Sequence, residues 1–235
     1  LQLLPDFWKE RLRRRAGAVT LSARLENLRR AGFNPRQIID AGAFAGQWTT
    51  AVQIVFPAAE VLMIEPQADC QAILAQLIRR SRGLRLRRAL LGAAPGRARF
   101  LVEATNSRIL PSDWEPPAGS RIEEYTLETM ADIAHAEGFS NCDLLKLDLQ
   151  GAELEALAGA GGIFGQAEVI ITEVSWLRIG NVPLAHEVIA LFVARGYQLY
   201  DILGHNYRPL DGALWQTDLM FVRKNSALIA SRNWT

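Results

Sequence analysis

Two carboxylates and a pair of glycines near the start of the chain carry the clearest chemistry. In Ile38-Ile39-Asp40-Ala41-Gly42-Ala43-Phe44-Ala45-Gly46 an apolar run reaches Asp40 and then turns through Gly42, Ala43 and Gly46. Glycine lets a backbone approach a ligand where a Cβ would clash. A second apolar run, Met63-Ile64, ends in Glu65-Pro66. A carboxylate about 20 residues beyond such a turn is placed to accept hydrogen bonds from ribose hydroxyls. Asp40 can accept from turn amides or take an ammonium group. Asp40, Gly42, Ala43, Gly46, Glu65 and Pro66 thus form a candidate site for the adenosine half of a nucleotide-like cofactor. The spacing D-x-G-x-x-x-G lacks the G-x-G opening of dinucleotide folds, which argues against a dehydrogenase.

A second constellation is Leu144-Leu145-Lys146-Leu147-Asp148-Leu149-Gln150-Gly151-Ala152-Glu153. Lys146 and Asp148, two apart on an extended segment, share one face. Asp148 either projects into a central cleft or pairs with Lys146 and caps the following helix. Glu173 closes another β-branched run, Val169 to Val174.

These side chains need a scaffold. Helices are expected over parts of residues 6–31 and over Thr49–Phe56, Asp69–Arg80, Leu127–Glu137, Glu153–Ala160 and Leu184–Arg195. Strands are expected at Ile38–Asp40, Val61–Glu65, Leu84–Leu90, Arg97–Glu103, Asp143–Leu149 and Val169–Val174. Residues 104–120, rich in Pro, Ser and Gly, read as an irregular loop. Gln198–Leu203 and Gln216–Arg223 read as a closing antiparallel pair around Asp211-Gly212. Alternation of apolar strands with helices predicts an α/β, Rossmann-like fold with a mostly parallel central sheet, helices on both faces and a C-terminal antiparallel strand pair. Ligands in such sheets bind beyond the carboxyl ends of the strands. The expected divisions are an N-terminal helical cap over 1–33, the main domain over 34–225 and a tail over 226–235.

With 235 residues, 49% hydrophobic and 22% charged, the chain has an ordinary globular composition, and its net charge of +1 argues against a polyanionic partner. Two basic clusters, Lys9 to Arg15 and Arg79 to Arg88, read as solvated faces. Cys70 and Cys142 are too few for a disulfide framework or zinc pattern. They fit a cytoplasmic location. No apolar run is long enough to span a membrane, and the opening Leu1-Gln2-Leu3-Leu4-Pro5-Asp6 lacks the order of a signal peptide.

The ordered set Asp40-Ala41-Gly42-Ala43 with Gly46-Gln47, Glu65-Pro66, Leu145-Lys146-Leu147-Asp148 with Gln150-Gly151-Ala152-Glu153, Ile171-Thr172-Glu173-Val174-Ser175 and Gln216-Thr217-Asp218-Leu219-Met220-Phe221-Val222 resembles the FkbM-type methyltransferases over roughly residues 25 to 224. The resemblance implies a class I methyltransferase fold that uses S-adenosylmethionine, with Asp148 beside the reacting methyl group and transfer to a hydroxyl of a sugar, glycan, polyketide or other natural product. One departure is Phe44, where the family often has Asn. A hydroxyl is a poor nucleophile at neutral pH, so a base or a Lewis acid is expected. Asp148, His205 and His186 are the candidate bases. His135 lies mid-helix. Asp148 with Glu173 could hold a magnesium ion. Trp176 and Trp114, with Glu173, are candidates to contact the acceptor, and Trp215 reads as packing. The alternatives are an RNA methyltransferase, suggested by the arginines, and a non-catalytic partner subunit, suggested by Phe44. The N-terminal helices are expected to cap the domain or to form a homodimer contact.

Overall fold

The computed structural model describes residues 20–111, 113–179, 182–231 and 233. Most of the expected N-terminal cap, with Phe7, Trp8 and the basic run Lys9–Arg15, lies outside them. The rest of it is helix α1 (Leu21–Arg30), which Thr20 caps by accepting the Ala23 amide at 3.3 Å. Leu25 and Leu28 are fully buried, so this helix belongs to the same core as the strands that follow.

The chain then runs β1 (Gln37–Ala41), α2 (Gln47–Val55), β2 (Glu60–Ile64), α3 (Ala68–Arg80), β3 (Leu84–Arg87), β4 (Leu90–Leu91), β5 (Gly96–Leu101), β6 (Arg108–Ile109), β7 (Ile122–Glu128), α4 (Met130–Ala136), β8 (Leu144–Leu147), α5 (Glu153–Ala158), α6 (Gly162–Gln166), β9 (Val169–Ser175), α7 (Ala185–Ala194), β10 (Tyr197–Tyr207) and β11 (Leu214–Arg223). Seven strands form the main sheet in the order β10-β11-β9-β8-β1-β2-β3. β3, β2, β1, β8 and β9 run parallel, and β11 is antiparallel to both β9 and β10.

Side-chain alternation divides the core. Ile39, Leu62, Leu145 and Ile170 face α4 to α7, while Ile38, Val61, Leu144 and Ile171 face α1 to α3. Both faces are covered, as a parallel sheet requires. Sequence order reverses between β1 and β8, and the crevice above that switch point is where this class of sheet binds ligands.

A second sheet, ordered β4-β7-β5-β6, departs from expectation. Leu84–Leu90 is two strands in two different sheets. Ile122–Glu128, for which no element was expected before a helix at Leu127, is β7, and the helix starts only at Met130, behind the Thr129 cap. The glutamates of Ile122-Glu123-Glu124-Tyr125-Thr126-Leu127-Glu128 mask a period-two pattern that becomes visible once β5 pairs with it. Helix α6 was likewise not expected. No helix among the described residues is long and apolar enough to cross a membrane.

Candidate active site

A cavity of about 500 Å³ opens over the carboxyl ends of β1, β2 and β8, with β9, β11 and a segment around Ser107 closing its sides. That lies within the range of about 300–1,000 Å³ usual for small-molecule sites.

On the β1–β2 side the backbone does most of the work. Gly42 has φ 80°, and a Cβ there would lie 1.9 Å from the Asp148 carbonyl oxygen, so only glycine lets the turn close against the end of β8. The amides of Gly42 and Ala43 are donated to the Ile64 carbonyl at 2.9 and 3.3 Å. Glu65, 2% exposed, accepts the Phe44 amide at 2.8 Å on Oε2 and the Gln67 amide at 2.9 Å on Oε1. Burial raises its pKa, and these bonds work against the rise. Gln67 in turn accepts from the Ser107 hydroxyl at 3.0 Å. Phe44 itself sits at φ 47°, a conformation Asn adopts more readily than Phe. This gives a backbone reason for the asparagine that the resemblance led us to expect there.

The opposite side is built from charges. Lys146, 7% exposed, donates to the Gly42 carbonyl at 2.8 Å and lies 3.3 Å from both Asp40 Oδ1 and Asp148 Oδ2. These carboxylates hold its pKa above the usual lysine value against the pull of desolvation. Gln150, at φ 52°, donates its side-chain amide to Asp148 Oδ1 at 3.0 Å and to Glu173 Oε2 at 3.1 Å. A left-handed non-glycine residue held in place by two cavity carboxyls is the kind of stored strain found at functional sites. Beneath it, buried Glu153 accepts the amides of Leu149 and Gly151 and fixes the turn. Glu173 also accepts the Gln216 side-chain amide at 2.6 Å. Its pKa is pushed up to about 9, first by burial and then by Asp148, Asp218 and Glu153. The Asp218 carboxyl, on β11 directly opposite Glu173 of β9, lines the same wall and is raised in pKa by burial and by Asp148.

The cavity thus gathers Gly42, Ala43, Glu65, Pro66, Asp148 and Glu173 from the sequence expectations. The other candidates lie elsewhere. Asp40 is fully buried beneath the cavity, where it accepts the Thr49 hydroxyl at 2.6 Å, and the ammonium it takes is that of Lys146. Gly46 starts α2, where a Cβ would press on Leu77 and Leu74 of α3. His205 is exposed on β10 beside the Tyr207 ring, and His186 is exposed at the start of α7. Neither lines the cavity. Trp176, 42% exposed, donates its indole N–H to Thr217 at 2.6 Å, and Trp114 is 36% exposed; both also stay outside.

Trp215, Gln216 and Asp218 of β11, together with Gln150, Trp48, Gln67 and Asn206, are among the cavity residues that sequence reasoning did not assign to it. Gln216 and Asp218 carried a signal in the closing-strand motif, and Gln150 in the motif that follows Asp148. For a magnesium ion the fit is poor. Glu173 meets two amide donors and Asp148 meets an ammonium and an amide. No group of three or more potential ligands occurs among the described residues.

The strand order, with one antiparallel strand inserted between β9 and β10, and the glycine turn below a small-molecule cavity define the class I methyltransferase fold. A model of the "Methyltransferase FkbM domain" matches residues 40–199, and the chain belongs to this family of S-adenosylmethionine-dependent methyltransferases. Among solved structures, a ribosomal protein L11 methylase from Lactobacillus delbrueckii subsp. bulgaricus superposes with a TM-score of 0.50 and 12% identity, covering 86% of this chain and 78% of that one. A magnesium protoporphyrin IX methyltransferase from Synechocystis PCC 6803, solved with bound SAM, aligns at TM-score 0.49 and 11% identity over 86% and 76%. No curated protein matches in sequence. The β1–β2 side fits the donor: buried Glu65 keeps lone pairs beside a turn whose glycine brings backbone to the cavity wall. The indole N–H of Trp48 in that wall is buried and unpartnered.

Proposed function

We propose that the protein transfers a methyl group from S-adenosylmethionine to a hydroxyl oxygen of an uncharged small molecule or glycan, such as a sugar or a polyketide-type natural product. The observation that carries this reading is the wall opposite the glycine turn. Asp148, Glu173 and Asp218 stand there with the amides of Gln150, Gln216 and Asn206. Among the described lining residues the one cation is Lys146, already engaged by two carboxylates and a carbonyl. Such a wall offers hydrogen-bond partners to a polyhydroxylated acceptor and repels phosphates, which speaks against RNA. Phe44 lines the cavity without filling it, which speaks against a non-catalytic partner.

When bound, S-adenosylmethionine supplies a methyl group activated by a sulfonium. Glu65 and the Gly42–Phe44 turn hold the ribose end, with Gln67 and Ser107 beyond. Lys146 clamps the end of β1 to Asp148, so that the two halves of the site keep a fixed spacing and the acceptor oxygen is aligned for in-line attack. The carboxyl wall orients the acceptor hydroxyl and takes its proton.

The test is incubation of the full chain with methyl-labelled S-adenosylmethionine and a panel of methyl glycosides, phenols, amines and RNA. Label is expected as an acid-stable methyl ether on a hydroxyl compound. Label on amines or RNA alone would overturn the oxygen-specific reading.

A further inference from the structure

We propose that Asp218 is the general base of this reaction, the catalytic residue that accepts the acceptor's hydroxyl proton. The inference rests on the methyl-transfer reading above and goes beyond it by choosing among the carboxyls of the wall. A base must face the substrate, keep a free lone pair and not already hold the proton. Asp148 has one oxygen against the Lys146 ammonium and the other under the Gln150 amide. Glu173 takes two amides on one oxygen and is crowded by three other acids, so it keeps its proton at neutral pH. Asp218 lines the cavity and, among the described residues, has no hydrogen-bond or ion-pair partner for its carboxyl.

A neighbouring residue supports this choice independently. Gly204 of β10 lies directly across from Asp218. It does not adopt a left-handed conformation, so its backbone does not require glycine. A Cβ at Gly204 would stand 2.9 Å from Asp218 Oδ2, which means that the missing side chain is the space the carboxylate occupies. The titratable groups facing Asp218 are Asp148, Lys146 and, paired across the strands, the protonated Glu173. Burial and the Asp148 carboxylate raise its basicity and Lys146 opposes them, which favours proton abstraction near neutral pH. In the step, an oxygen lone pair of the acceptor forms the new bond to the methyl carbon. The carbon–sulfur bond breaks with its pair remaining on sulfur, and the hydroxyl proton passes to the Asp218 carboxylate.

The full chain and its D218N, G204A and D148N variants separate the possibilities. Calorimetry with S-adenosylmethionine is expected to show D218N within about threefold of the wild-type affinity. Because Asn removes one of several clustered like charges, the thermal midpoint of D218N is expected to rise by about 2–4 °C. With a methyl glycoside or phenol from the panel, kcat is expected to fall at least about 100-fold with KM nearly unchanged. G204A is expected to lose a smaller factor of about 10 in kcat by displacing the carboxylate. D148N is expected to respond differently, with a lowered midpoint, because it uncouples Lys146. A D218N enzyme with near-normal kcat, with donor affinity reduced more than tenfold, or with a lowered midpoint overturns the assignment. If wild-type enzyme binds donor yet methylates no hydroxyl compound, the proposed reaction fails. The base assignment fails separately, where wild-type enzyme is active and D218N keeps its kcat.

Discussion

At the β1–β2 end of the cavity the polar groups are paired, apart from the Trp48 indole N–H. Glu65 takes the amides of Phe44 and Gln67, and Gln67 takes the hydroxyl of Ser107. At the β8–β9–β11 end, Asp148, Glu173 and Asp218 share a single ammonium and two side-chain amides, leaving excess negative charge and a carboxyl pushed up to about 9. Except for that one donor, the first end is preorganised, which suits a methyl donor whose shape does not vary. The second end is held under electrostatic tension, which stability alone would not select. Lys146 joins the two, touching Gly42 on one side and Asp148 on the other.

The comparison can be broken most severely at that joint. Replacing Lys146 by Met leaves buried Asp40 without its counter-ion, and a loss of about 3–5 kcal/mol is expected in chemical denaturation. An unchanged midpoint would mean that the ammonium is not what holds the halves together. Next in size is Glu65→Ala at the matched end. Two amides lose their partner, each worth about 1–3 kcal/mol if left dry. Calorimetric affinity for S-adenosylmethionine should drop at least about tenfold, since one good hydrogen bond to a charged group is worth about 1.5–3 kcal/mol. Undiminished affinity would remove Glu65 from the ribose site.

Glu173→Gln sharpens the contrast through pH. The folded protein binds a proton on Glu173 up to about pH 9, whereas the unfolded chain releases it near 4.5. The favourable term is therefore complete below pH 4.5 and declines as pH rises to about 9. Gln mimics the protonated form, so the variant's stability should fall less over this window, with the largest gain over wild type near pH 9. Parallel curves from urea melts at pH 5, 7 and 9 would contradict the raised value. The smallest effect is expected at Phe44→Asn. Relief of the left-handed strain, about 1–2 kcal/mol for an ordinary residue, is offset by lost packing of the ring. The net change should stay within about 1 kcal/mol by the same melts. A large loss would show that the ring, not the turn, sets that position.

How much of this was legible in the chain follows the same division. Gly42, Glu65, Asp148 and Glu173 each stand at or near the end of an apolar run, and a strand end next to a turn is a local pattern. The histidines suit a base by residue type, while their positions, exposed on β10 and α7 outside the cavity lining, are fixed by packing that spacing does not encode. Asp40 looked like a site residue, since the turn that follows it is one. Alternation along β1 turns it with Ile38 toward the α1–α3 face, and there it is fully buried. Ile122–Glu128 was missed because its glutamates suit a helix as well as a strand, and only pairing with β5 decides between them.

From the residues alone came the alternating α/β plan, the glycine turn with its acid, the family resemblance and the central place of Asp148, because each is written within a few neighbouring positions. Only the tertiary structure inserted β11 between β9 and β10, setting Asp218 across from Glu173 and opposite the bare Cα of Gly204. It also drew Lys146 between Asp40 and Asp148. Those juxtapositions depend on strand order and register, which long-range burial selects and which no short stretch of sequence contains.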